Sequence, residues 1–243
     1  MSNPVFSQRA MEGNERALSS EPMTVNGAIN KTFVLFLCLL ATSFYEYSLF
    51  LQGFTDKAMG LMMVGFVASI VAFIVIMFAR KTIKFMAPVY ALSEGLVLGG
   101  LSVAFEQSYP GIVVQAVCAS FMAFFVMLVL YRAGIIKCTE KFRSVLMISM
   151  FSILGIYIVQ IIGSFFHLSI PGLFGSGLVG IAFSAVVCVI AALNFIIDFS
   201  TIEMGVQNMM DKSFEWYCGF GLMVTFVWLY VEILNLLAKL RDN

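Results

Sequence analysis

The sequence predicts an all-α polytopic membrane protein, a seven-helix transmembrane bundle, and three observations predict it. Hydrophobic residues make up 61% of the 243-residue chain and charged residues only 12%, where soluble domains carry about 25% charged residues. The apolar excess is spread along the whole chain, with a mean hydropathy of +0.98. It is divided into segments of about 20 residues or more, long enough to cross a hydrocarbon core of about 30 Å as helix. The strict alternation of a membrane β-barrel is absent, so helices are the way these segments satisfy their backbone in lipid.

Residues 1–31 come first. They are polar and mixed in charge, with Pro4, Pro22 and several Ser and Asn, and read as a flexible cytoplasmic tail ahead of a membrane domain at 32–243. No short apolar core followed by small residues occurs here, so no removable signal peptide is expected. Asn30-Lys31-Thr32 spells a glycosylation sequon but falls on the face assigned below to the cytoplasm. The seven spans are expected at 32–52, 58–79, 85–105, 112–132, 144–166, 174–204 and 214–238. Pro88 lies in the first turn of the third, where a missing N–H does no harm. Gly95 and Gly99 in the third span, and Gly172, Ser176 and Gly180 at the start of the sixth, form small-xxx-small series that allow close helix contact.

Charge orients the bundle. Arg9, Arg16, Lys31, Arg80, Lys81, Lys84, Arg132, Lys137, Lys141, Arg143 and Lys212 fall on the face that holds the tail, against Lys57, Lys239 and Arg241 on the other. This imbalance places the N-terminus inside and the C-terminus outside. Lys239 and Arg241 pull the other way, and a re-entrant last span would return the C-terminus to the cytoplasm.

Several function classes fall away. A formal net charge of zero supplies no basic field for nucleic acid. The five cysteines, Cys38, Cys118, Cys138, Cys188 and Cys218, show no CxxC spacing, so neither a zinc site nor a disulfide framework is indicated. His167, the one histidine, has no ligand partner nearby. Without a GxxxxGK[ST] segment, ATP-driven pumping is not expected. No cofactor and no enzymatic activity are expected; a diaspartyl protease would need a Gly-x-Gly-Asp segment that does not occur.

The acids carry the chemistry, because a carboxylate inside lipid costs a few kcal/mol even on lenient scales, about 2.5–3.5 kcal/mol at a helix centre. Glu46 is close enough to its span's end to reach the interface. Glu203 and Glu215 border the sixth loop and are expected to be solvated. Glu94, in YALSEGLVLGG, is about two and a half turns inside the third span, where Gly95 and Gly99 turn it toward protein. Asp198 and Glu232 stand on successive spans, which are antiparallel neighbours by default. Their midpoint, residue 215, is close to the polar break Asp211-Lys212-Ser213, so they are expected at similar depth. Two carboxylates held that close cannot both ionise cheaply; the pair would share a proton and titrate near cellular pH. Deprotonated, Asp198 and Glu232 offer hard oxygen contacts for calcium. A second reading stays open, in which each acid pairs with a base and only holds helices together.

Three stretches carry a resemblance. NFIIDFSTIE is an apolar run ending in Asp at a polar helix end. WLYVEILNLLAKLR joins Leu-Tyr, an acid, Asn and Leu-Leu. FARKTIKFMAPVYALSEG leads from a basic helix end into the third span. Over residues 32–240 the sequence resembles the Bax inhibitor-1 (transmembrane BAX inhibitor motif) superfamily, its bacterial Bax inhibitor-1-like branch in particular. The resemblance implies a bundle with the last helix at its centre, in the bacterial inner membrane. It also implies a pH-sensitive passive calcium leak, sensed by acids that match Asp198 and Glu232. Arg80 and Lys81 match a basic latch onto the sixth-helix acid, Arg80 favoured for its bidentate grip. Calcium ions, protons and the bilayer would be the partners. An alternative from the same resemblance is a stress-response interaction protein that modulates a membrane protease through the tail. The sequence departs from calcium-leak relatives in carrying Glu at 232, in a longer interval from 198 to 232, and in lacking an acid within 58–79. Glu94 is the candidate pore acid in its place.

Overall fold

In the computed structural model, which describes residues 21–166 and 172–243, the chain forms seven helices long and apolar enough to cross a membrane. They are α1 (Val25–Leu51), α2 (Thr55–Phe78), α3 (Ile83–Ser108), α4 (Ile112–Arg132), α5 (Glu140–Phe165), α6 (Leu178–Gln207) and α7 (Phe214–Arg241), with a 3₁₀ turn at Arg80–Thr82 before α3. Each runs close to an expected span. His167 lies outside the described residues.

Burial is uneven among the spans: along their apolar stretches α7 and α3 are the most buried and α5 the least. α7 is central, packing against α6, α1, α4 and α3. α1 and α2 both pack on α3, while α5 packs on α6 and reaches α7 through the Tyr157 side chain. Phe226 of α7 meets Phe36 of α1 edge-on, centroids 5.0 Å apart, and Phe121 of α4 at 4.8 Å. Tyr90 of α3 meets Phe220 of α7 at 5.1 Å. Deeper in the same interface, the Ser102 and Tyr230 hydroxyls share a 2.7 Å hydrogen bond.

The Gly95–Gly99 pair does what its spacing suggests. A Cβ at Gly95 would stand 2.2 Å from the Leu39 carbonyl oxygen, and one at Gly99 2.6 Å from that of Ser43. α1 and α3 therefore touch backbone to backbone. The second small-residue series is corrected: Gly172 and Ser176 precede α6, and only Gly180 stands on the helix, packed under the Gly175 carbonyl. Pro88 is also deeper than expected, because α3 begins at Ile83 and Pro88 falls in its second turn.

The tail boundary moves as well. α1 starts at Val25, with Thr24 as its N-cap accepting from the Gly27 amide at 2.9 Å. Residue 31 is thus inside a helix, and polar Asn26 and Asn30 are its first two turns. Just before it, the Met23 amide donates to the Met210 carbonyl and the Lys212 amide to that of Glu21. Lys212 also pairs with Glu21 through its side chain. Glu215, expected in solvent, is instead buried in the first turn of α7, where it accepts from the Thr24 amide at 3.0 Å and from its hydroxyl at 3.3 Å. Residues 21–24 so strap the sixth loop. At the far end α7 is one continuous helix of 28 residues, which overturns the re-entrant alternative and leaves residue 21 and residue 243 at opposite ends of the bundle.

Candidate functional site

The α6–α7 hairpin places the acids. α6 ends at Gln207 and α7 begins at Phe214, so the turn is centred between Met210 and Asp211 and passes through Met209 with a left-handed φ of 48°. Residues at equal depth on the two helices are equidistant from that centre, and three contacts obey the rule. Asp198 faces Gly221 and the hydroxyl of Thr225 on α7. Cys188 stands beside Glu232. Ser184 accepts a hydrogen bond from Lys239 at 2.8 Å.

Asp198 and Glu232 are consequently not a pair. Thr225 is seven residues before Glu232, about 10 Å along α7. Instead, Glu232 accepts from the Tyr157 hydroxyl of α5 at 2.7 Å and from the Trp228 indole at 3.2 Å, both on Oε1, and Lys239 is its nearby positive charge. The expected midpoint of 215 is about four and a half residues beyond the real turn. In a hairpin such an error doubles, because it lengthens one arm and shortens the other; the acid level with Glu232 would have had to stand near residue 189. The shared proton is therefore corrected, as is a calcium contact made by both acids together. Among the described residues, no three acid, cysteine or histidine side chains converge as a metal cage.

Asp198 keeps the more unusual surroundings. The residue is partly buried, and its Oδ2 atom is shut off from solvent with no hydrogen-bond partner. The latch is not closed here. Arg80 and Lys81 are exposed at the end of α2, whereas Asp198 is nine residues, about 14 Å, inside the end of α6. Among the described residues the ion pair within 4 Å is Lys212–Glu21. Glu94 is half-buried and meets the hydroxyls of Ser69 on α2 and Tyr90 on its own helix. It faces α2, and α3 does not pack on α6, so α7 separates Glu94 from Asp198.

Three features escaped the sequence reading. Cys218, Thr225, Glu232 and Lys239 recur every seven residues and form one stripe on α7, since seven residues are two turns less about 20°; that spacing is a signal the sequence does hold. Asp198, Tyr157 and Ser184 are the partners along this stripe. Lys239 points inward, donating also to the Gly180 carbonyl at 3.2 Å, while Arg241 donates to the Pro110 carbonyl at 2.9 Å and to Gln115 at 3.0 Å. The two bases that argued for a cytoplasmic C-terminus are thus both engaged by the protein. Third, Glu46 is wholly buried against Gly99, and neither carboxyl oxygen has a hydrogen-bond partner; the expectation that it reaches the interface is wrong.

The arrangement is a polar stripe on a central helix, with one acid in the half nearer the sixth loop and another in the opposite half. No curated protein and no solved structure matched the chain. A family model described as Bax inhibitor 1 like matches residues 3–242, nearly the whole sequence and all seven spans, and with it this integral membrane protein belongs to the Bax inhibitor 1 like family.

Proposed function

We propose that the protein is a pH-sensitive passive leak for calcium or a similar cation, with Asp198 and Glu232 as successive stations on the α7 stripe rather than one proton-sharing pair. The observation that carries the reading is Asp198, whose Oδ2 is enclosed and unpartnered within a membrane span. A carboxylate there is costly unless it binds a proton or a cation. When protonated it is neutral beside Thr225; when ionised it draws a cation to the central helix. Tyr157 and Trp228 hold the Glu232 carboxyl, and Lys239 competes for it with any passing cation. A hard oxygen contact at each level, without a cage, suits passage more than storage. We place the tail face in the cytoplasm of a bacterial cell on the Lys and Arg imbalance. The test is calcium flux into proteoliposomes between pH 5 and 8. Asp198→Asn should abolish its pH dependence, and a titration identical to wild type would exclude Asp198 as the sensor.

A second reading, an interaction protein that modulates a membrane protease, draws on the strap. Residues 21–24 are tied to the sixth loop, so whatever binds residues 1–20 pulls on the hairpin that carries both acids. Deleting 1–20 leaves the strap in place. Flux that survives this deletion favours the leak; loss of protease modulation with flux intact favours the tail.

A further inference from the structure

A cavity of about 1030 Å³ opens between α1 and α4 on the face that carries the sixth loop. These two helices do not pack on one another, and α6 and α7 close the back of the gap. Val25, the first residue of α1, is at the mouth, and the depth is lined by apolar Ile29 of α1, Phe124 and Leu128 of α4 and Leu222 of α7. The mouth is basic. Arg132 ends α4, Lys137 follows in the fourth loop, and both are exposed. The acid on the wall, Glu203, is engaged by the Tyr131 hydroxyl. Phe124 is two turns below Arg132, about 12 Å along the helix.

From this geometry we infer that the α1–α4 crevice is a binding site for an anionic phospholipid, its phosphate held by Arg132 and Lys137 and an acyl chain lying between α1 and α4. Charge and polarity change together along the cavity, from cationic at the interface to apolar within the span. A phospholipid has the same gradient with the opposite charge, and basic pockets between transmembrane helices take anionic headgroups. A soluble phosphate would leave the apolar depth unfilled; a neutral lipid would leave the two bases unanswered. The site is independent of Asp198 and Glu232, so it stands whether or not the leak does.

Native mass spectrometry of the purified protein with phosphatidylglycerol or phosphatidylcholine tests it. Phosphatidylglycerol should be retained in preference. One basic residue near an anionic lipid is worth about fivefold in binding, so Arg132→Ala with Lys137→Ala should lose about 25-fold. The pair Arg80→Ala with Lys81→Ala, on the same face but away from the cavity, should lose nothing. Leu128→Trp, which fills the crevice and keeps both charges, should lower retention of either lipid. Equal retention of the two lipids by wild type, or retention by the Arg132/Lys137 variant like that of wild type, would overturn the site. Cys138 also lines the cavity and supplies a test that needs no variant. Maleimide labelling at Cys138, read by peptide mass, should slow with phosphatidylglycerol and not with phosphatidylcholine or inorganic phosphate. An unchanged rate would count against the site as well.

Discussion

Glu46 and Glu232 are two buried glutamates with opposite histories of compensation. Glu232 has donors from Tyr157 and Trp228 on one oxygen. Glu46 has none. A buried polar group without a partner costs about 1–3 kcal/mol, and replacing it with an apolar group of similar shape recovers that. Glu46→Met should therefore raise stability by about that amount in detergent unfolding. A loss instead would mean that the carboxyl is served by a partner in the native membrane. Tyr157→Phe should do the reverse, removing a donor while keeping the ring against Phe174 and Phe183. Hydrogen bonds between membrane helices average about 0.6 kcal/mol, so the loss in the same assay should be of that order and below about 2 kcal/mol. None of these partners was evident from the residues alone. Glu46 is six residues from the expected end of its span, and a helix end looks wet on paper. What buries it is α3 coming close enough at Gly99 to cover it.

At the scale of elements, the contact between α1 and α3 was legible and its consequences are sharp. Gly95→Ala puts a methyl group on the Leu39 carbonyl oxygen, backbone that cannot swing aside, and overpacking of this kind costs about 1–3 kcal/mol. Gly155 of α5 has nothing within 4 Å of its would-be Cβ. There the same substitution should stabilise by about 0.5–1 kcal/mol through helix propensity alone. The two variants, compared in one unfolding assay, separate glycine as contact from glycine as spacer. The α6–α7 hairpin was less legible. Its helices were read within a few residues of their true ends, yet pairing across a hairpin depends on the turn's centre with doubled sensitivity. Asp198 met Thr225 rather than Glu232 for that reason.

Across the whole molecule, the strap joins the start of the described chain to the loop between the last two helices. Lys212 holds Glu21 below the ordinary carboxylate range by hydrogen bond and charge, and Glu21 holds Lys212 above the ordinary lysine range in the same way. The acid's contribution is present above the unfolded carboxylate value and is lost as pH falls through its lowered one. The lysine's is present below the unfolded value and is lost as pH rises through its raised one. The ion pair thus acts between these limits and weakens below about pH 4. Both side chains are exposed, so the effect is local. Hydrogen exchange at the Met23 amide, which is bonded to Met210, should speed up at acid pH beyond its intrinsic change. Lys212→Gln should remove that difference. Exchange at Met23 with no such pH dependence would show that the backbone bonds hold the strap by themselves.

What the sequence determined by itself is what the membrane demands of each segment separately. Seven apolar stretches must be helices because lipid offers the backbone no other partner, and small residues four apart permit close approach. The stretches that resemble the family are just as local. Tertiary structure decided which polar groups meet. Those meetings depend on the depth and facing of one helix against another, quantities set by loop geometry and packing to within a single turn, and an error of a few residues in a boundary is larger than that. Asp198 opposite Thr225, Lys239 turned inward to Ser184, and the gap between α1 and α4 are all of this kind.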